Sequence, residues 1–244
     1  MDLICATTTP GEPEIFASLQ GEGPSIGKPV AFIRLSRCNL ACHWCDTAYT
    51  WHFTGDNRAH RDETTFDRKA NQVTLPTSLA SERITSLGQT RLVVTGGEPL
   101  LQASALAELF TRLPDMRIEI ETNGTVEPPA RVDVHVDQYN VSPKLAHSGN
   151  PADLALIPKM LDRWAADSRA FFKFVIAEPE QVEEVLELQR RHAIPPDRLY
   201  LMAEGTDSAT LRERQAWLAE LCLGHKLMMS DRLHIHLFGD TRGT

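Results

Sequence analysis

At 244 residues, 42% hydrophobic and 24% charged, the chain has the composition of a soluble globular protein and is long enough for one substantial core. Its formal charge of -8 excludes the basic footprint that nonspecific nucleic-acid binding needs, while leaving room for a local basic pocket that takes a small molecule. No apolar run approaches the ~20 residues of a membrane span, and the start, Met1-Asp2-Leu3-Ile4-Cys5, lacks the basic and long apolar segments of a signal peptide. The expectation is a cytoplasmic protein that binds neither nucleic acid nor membrane.

In chain order, Glu14 to Leu19 reads as a short strand running into Gln20-Gly21-Glu22-Gly23-Pro24, a turn where backbone can approach a ligand closely. Val30 to Leu35 is an apolar strand, and it leads into a cysteine-rich loop. Residues 52–74 are polar and aperiodic and read as a surface excursion. A helix from about Pro76 to Leu87 ends at Gly88. Strands then alternate with helices. Strand Arg91–Thr95 ends at Gly96-Gly97-Glu98-Pro99, Met116–Glu121 at Thr122-Asn123-Gly124, and Val132–Val141 at Ser142-Pro143-Lys144. Further strands are expected at Phe171–Ile176, Arg198–Met202, around Lys226–Met229 and at Leu233–Phe238. This alternation predicts βαβ units around a parallel sheet in one domain spanning 1–244. Polar motifs recur just after strands, which is where α/β folds bind ligands.

Five cysteines, three of them bunched in a cytosolic chain, point to metal rather than disulfides. Cys5 and Cys222 stand apart and read as a tail thiol and a small buried hydrophobe. Cys38, Cys42 and Cys45 form a C-x3-C-x2-C loop that leaves a strand. Three readings follow. A structural zinc site would need a fourth ligand from His43, Asp46 or His52. An electron-transfer cluster would need a fourth cysteine, and none is near. A [4Fe-4S] cluster on three cysteines leaves one iron open to another molecule.

The triad with Trp44 before its last cysteine, followed by a strand-terminal Gly96-Gly97-Glu98-Pro99, resembles the radical SAM superfamily. In such enzymes S-adenosylmethionine occupies the open iron and is cleaved by an electron from the cluster. A narrower resemblance rests on Leu19-Gln20-Gly21-Glu22-Gly23, Cys45-Asp46-Thr47, Glu121-Thr122-Asn123-Gly124, Ser142-Pro143-Lys144, Arg232-Leu233-His234 and Phe238 to Gly243. These together resemble the 7-carboxy-7-deazaguanine synthase family. That resemblance implies an α/β fold, an incomplete TIM-type barrel, in a homodimer. It implies ring contraction of 6-carboxy-5,6,7,8-tetrahydropterin with release of ammonia, on the route to queuosine. Magnesium and a reductant such as flavodoxin or ferredoxin belong to the same expectation.

Residue by residue, the resemblance implies substrate contacts from Leu19, Gln20, Gly21, Glu22, Arg34, Thr95 and His234. A planar arginine fork at Arg34 suits the substrate carboxylate. SAM contacts are implied for Trp44, Cys45, Asp46, Gly97, Glu98, Ser142, Pro143, Lys144, Ala203, Glu204, Gly205 and Thr206, and a magnesium ligand at Thr47. From the residues alone Thr47 also reads as a helix cap, and Arg34 as half of an ion pair on a strand. His234 and His236 would share one face of a strand, so the sequence does not rank them. The chain ends Arg242-Gly243-Thr244, unlike relatives whose terminal carboxylate reaches the substrate, and that contact is not carried over. Two further functions remain beside this one: an activase that makes a glycyl radical on a partner protein, and a non-enzymatic zinc or iron–sulfur module. Anaerobic reconstitution separates the last from the enzymes: a brown protein with about four irons is expected, and Cys42→Ala should lose both the cluster and SAM cleavage, whereas a colourless zinc protein would exclude them.

Overall fold

The computed structural model describes residues 1–244. Eleven strands join in one sheet: β1 (Asp2–Thr9), β2 (Glu12–Pro13), β3 (Ile15–Leu19), β4 (Pro29–Leu35), β5 (Gln72–Pro76), β6 (Arg91–Gly96), β7 (Arg117–Thr122), β8 (Val136–Val141), β9 (Ala170–Ile176), β10 (Leu199–Ala203) and β11 (Met228–Ser230). From β4 through β6, β7, β8, β9 and β10 to β11 the neighbours run parallel. β1 and β3 pair antiparallel with β4, and β5 antiparallel with β1. The path ends at β11 on one side and β2 on the other, so the barrel stays open. The parallel α/β architecture with an unclosed sheet matches the partial barrel expected.

Each parallel strand has two unlike faces, because successive side chains alternate. On β4, Ile33 and Leu35 join the main core while Phe32 and Arg34 face a cavity. On β7, Ile118 and Ile120 join that core, and Glu119 and Glu121 point the other way, Glu119 fully buried. On β9, Phe172, Phe174 and Ile176 are core, while Lys173 and Val175 line the cavity. The apolar face is sealed by helices including Ala103–Thr111, Pro158–Ala166, Gln181–His192 and Ser208–His225. Trp164 fixes one corner of this layer. It is fully buried, tilted against Tyr139 with ring centroids 4.8 Å apart, and its indole N–H donates to the Gly124 carbonyl at 2.9 Å.

Four sequence expectations change. The strand expected at Val132–Val141 begins only at Val136, because Ala130–Asp133 forms a helical turn before it. Leu233–Phe238 is a helix, not a strand; the true edge strand is the three residues of β11. The alternation His234-Ile235-His236 looks strand-like, but only Ile235 is buried, and the segment closes as a short helix against the sheet's open end. Residues 52–74 are not a plain excursion. A Phe53–Phe66 bridge closes the loop, a helical turn follows at Arg68–Asn71, and β5 begins at Gln72. Cys5 is no tail thiol: it lies on β1, fully buried, paired with Leu35 on one side and Val73 on the other. Cys222 is buried as expected. Trp164→Ala should destabilise the fold by about 3–5 kcal/mol, because it leaves a large cavity and an unpaired carbonyl, measured by urea unfolding followed by circular dichroism.

Candidate active site

The inner face of the sheet, the cysteine loop and the C-terminal segment enclose one cavity. Its floor is polar because strand alternation puts Arg34, Thr95, Glu121, Asn140 and Lys173 there. Charged groups withdrawn from water need partners, and each has one. Arg34 Nε donates to Glu14 Oε1 at 2.8 Å, and Tyr49 Oη donates to Glu14 Oε2 at 2.9 Å. Nε is the only side-chain nitrogen of Arg34 that donates a hydrogen bond within the protein. Gln20 donates from Nε2 to Glu119 at 2.9 Å and to Glu121 at 3.1 Å, while the Thr95 hydroxyl donates to Glu121 at 2.8 Å. Glu119 also takes bonds from Asn140 and Arg91.

Arg232 ties the rim together. Its guanidinium donates to Glu22 Oε1 at 3.1 Å, to the Gly205 carbonyl at 2.5 Å, and to Asp46. Lys173 pairs with the other oxygen of Glu22. Burial pushes the Glu22 carboxyl up, but Lys173 and Arg232 overcome it and hold the group well below its ordinary value. One arginine thus joins the Gln20–Glu22 turn, the cysteine loop and the loop after β10. Gly21 packs so closely on His234 that a Cβ there would collide with the imidazole Nδ1.

Cys38, Cys42 and Cys45 all line this cavity. Three cysteines on one cavity are the ligand number that a [4Fe-4S] cluster with one open iron takes. Burial pushes the Cys38 thiol up to about 12 and the Cys45 thiol up to about 11, and it raises Cys42 as well. Loading of metal must therefore displace protons from all three. Gly96 and Gly97 lie against the backbone of Leu35 and Arg37, where any Cβ would strike a carbonyl oxygen, and Gly96 has φ +136°. This packing clamps the end of β6 onto the start of the cysteine loop. Trp44 lines the cavity with its indole N–H buried and unpartnered. It stacks on His147 at 5.4 Å, and Lys144 stands over it at 5.5 Å. Three thiols, a glycine cradle and an unpartnered indole N–H at one cavity fit a cluster with a polar ligand beside it.

Among the sequence-derived residues, Leu19, Gln20, Gly21, Glu22, Arg34, Thr95 and His234 line the cavity, as do Trp44, Cys45, Asp46, Thr47, Gly97, Ser142, Lys144 and Glu204. Three lie behind the wall. Glu98 is fully buried and accepts from the Thr122 hydroxyl and the backbone N–H groups of Asn123 and Leu100, so it shapes the loop after β7. Burial pushes its carboxyl up to about 7. Ala203 sits in the core and Pro143 is buried outside the cavity. Gly205 and Thr206 line an adjoining cleft with Cys45 and Asp46. The short helix ranks the two histidines that the sequence left tied. His234 faces the cavity, whereas His236 Nδ1 lies 3.0 Å from the Ser208 hydroxyl. Thr244 also lines the cavity. Sequence reasoning passed over Glu14, Tyr49 and Lys173. Lys173 was detectable as a lone charge in the apolar run Phe171–Ile176; nothing local marks the other two.

The match to known proteins follows this geometry. The model for the Radical SAM superfamily matches residues 32–203, and the chain belongs to that superfamily. Membership of that superfamily implies a [4Fe-4S] cluster and SAM as cofactors. Within it, the chain is 36% identical to a 7-carboxy-7-deazaguanine synthase from Pyrobaculum aerophilum, covering 94% of this chain and 95% of that one. It is also 36% identical to the one from Hyperthermus butylicus, over 91% of this chain and 90% of its relative. The crystal structure of QueE from Escherichia coli superimposes with a TM-score of 0.65 at 26% identity, covering 95% of each chain. The chain belongs to the 7-carboxy-7-deazaguanine synthase family.

Arg232→Met should cost about 1–3 kcal/mol at neutral pH, since Asp46, 32% exposed, loses its arginine partner and Glu22 loses one of two cations but keeps Lys173. The pairing lowers the folded-state pKa of Glu22, so its contribution is present above the ordinary carboxylate range and fades as pH falls below it. The gap between variant and parent, read by urea unfolding, is expected to narrow in acid.

Proposed function

We propose that this protein, a radical SAM lyase, contracts the ring of 6-carboxy-5,6,7,8-tetrahydropterin to 7-carboxy-7-deazaguanine with loss of ammonia, in queuosine precursor biosynthesis. The observation that carries this is the meeting, in one cavity, of the cysteine loop with the Leu19–Glu22 turn, Arg34 and His234. Relatives named for that activity match 94% and 91% of the chain.

When bound, the cluster and SAM supply the one-electron chemistry; the chain's own work is binding, orientation and exclusion of water. Arg34 is anchored through Nε by Glu14, which leaves its terminal nitrogens free to hold a substrate carboxylate. Gln20 is fixed at both ends of its amide, donating to Glu119 and Glu121 and accepting the Glu22 N–H through Oε1 at 3.1 Å, so the turn is held in a preset shape against which a flat heterocycle can lie. Phe16 and Phe32 stack at 5.1 Å and give the cavity an apolar side. Burial lowers the pKa of His234, so it stays neutral and offers both a donor and an acceptor. Around the amino acid end of SAM the reading assigns Gly97, Ser142 and Lys144, with the Trp44 N–H as an unfilled donor.

Magnesium belongs to the proposal at Thr47, whose hydroxyl lines the cavity 3.6 Å from Cys45 Sγ. The protein offers no cage of three acidic, histidine or cysteine ligands, so the ion would keep waters and take oxygens from the substrate. We extend the reading to a homodimer reduced by a flavodoxin or ferredoxin and working in the cytoplasm. No helix is long and apolar enough to cross a membrane.

The test is incubation of the reduced, reconstituted protein with SAM and the tetrahydropterin. Formation of 5′-deoxyadenosine together with the deazapurine is expected, and 5′-deoxyadenosine alone would refute the substrate. Arg34→Ala should weaken substrate binding at least tenfold, a loss of about 1.4 kcal/mol or more, while uncoupled SAM cleavage persists. Normal substrate affinity in that variant would remove the carboxylate from Arg34.

A further inference from the structure

Each of the three cluster cysteines meets a side-chain N–H from outside its own loop. Trp51 Nε1 donates to Cys45 Sγ at 3.3 Å. Asn150 Nδ2 donates to Cys42 Sγ at 3.3 Å, and Asn123 Nδ2 faces Cys38 Sγ at 3.9 Å. The three donors come from separate stretches of chain: the segment after the cysteine loop, the loop after β8 and the loop after β7.

Their orientations are fixed. An indole nitrogen can only donate, and Cys45 Sγ is the sole partner of the Trp51 N–H, on a side chain only 4% exposed. Arg58 stacks over that ring at 4.6 Å and His52 packs edge-on at 4.9 Å. Asn150 accepts the Ala41 N–H through Oδ1 at 2.8 Å, which leaves its amide N–H2 turned to Cys42. Asn123 accepts from Thr125 N–H and hydroxyl at 3.0 and 2.6 Å through Oδ1, so its nitrogen faces Asn39 and Cys38.

We propose that Trp51, Asn150 and Asn123 are positioning residues that set the reduction potential of the bound cluster through N–H···S bonds to its thiolates. When the thiols lose their protons to bind iron, the sulfurs become charged acceptors and these bonds strengthen. Reduction adds negative charge that spreads onto the sulfurs, so each N–H stabilises the reduced state more than the oxidised one and raises the potential. The inference rests on the cluster, not on the pterin assignment, and it is tested without substrate.

The experiment is an anaerobic redox titration of the reconstituted protein, followed by electron paramagnetic resonance, on the parent, Trp51→Phe and Asn150→Leu. At the potential that half-reduces the parent cluster, the reduced-to-oxidised ratio in each variant should fall about threefold to tenfold, where tenfold is 59 mV for one electron. A purely structural role would change the iron content and leave the potential of the loaded fraction alone. Unchanged or raised potentials in clusters with full iron overturn the proposal. Should a variant fail to load, the parent still decides: its iron–thiolate stretching bands in resonance Raman are expected to shift on exchange into D2O, and bands that do not move refute the N–H···S bonds.

Discussion

The structure depends on a sheet whose two faces obey opposite rules. One face of each parallel strand packs under helices and is apolar; the other carries ionisable groups into a cavity of low dielectric. A charge there is tolerable only when paired, and the pairing partner always comes from a different strand or loop. Glu14 of the segment before β3 meets Arg34 of β4, Glu22 meets Lys173 of β9 and Arg232 near the C-terminus, and Gln20 meets Glu119 and Glu121 of β7. These pairs hold an unclosed barrel in a defined shape, and the same groups make its lining.

That arrangement explains how a loop with three free thiols is kept in place. The cysteine loop has little regular structure of its own. It is clamped from below by Gly96 and Gly97 against Leu35 and Arg37, and from the side by Arg232 on Asp46. His60 Nε2 sits 2.8 Å from the Cys45 carbonyl, and the Arg61 N–H donates to the His43 carbonyl at 2.9 Å. Residues 52–74 therefore serve as a bracket for the loop. Arg61 also reaches Glu204 beyond β10 at 2.6 Å and draws the far wall inward. Rigid supports of this kind hold reacting groups to the tolerances that catalysis needs.

Much of this was legible in the sequence where the signal is local. The strand–helix alternation, the C-x3-C-x2-C spacing and the strand-terminal glycines depend on near neighbours along the chain. The order of parallel strands follows from them because crossover connections are short and of one hand. Where the local signal was ambiguous the reading failed. His234-Ile235-His236 alternates like a strand but folds as a helix, because one turn buries Ile235 in the core while the chain end stays at the rim. Cys5 looked like a tail thiol because the partners that bury it, β4 and β5, lie about 30 and 70 residues away in sequence.

The sequence by itself therefore determined the class of chemistry: three thiolates at fixed spacing after a strand, and the glycines that must face them. Only the tertiary structure decided which side chains serve that chemistry. Glu14, Tyr49, Trp51 and Asn150 are ordinary residues in ordinary local contexts, and although Lys173, Arg232 and Asn123 carried a local signal, nothing in it named their partners. Their roles arise from burial and from partners far away in the chain, and the energy of a buried charge or an N–H···S bond is set by what folding places opposite it, which no local pattern encodes.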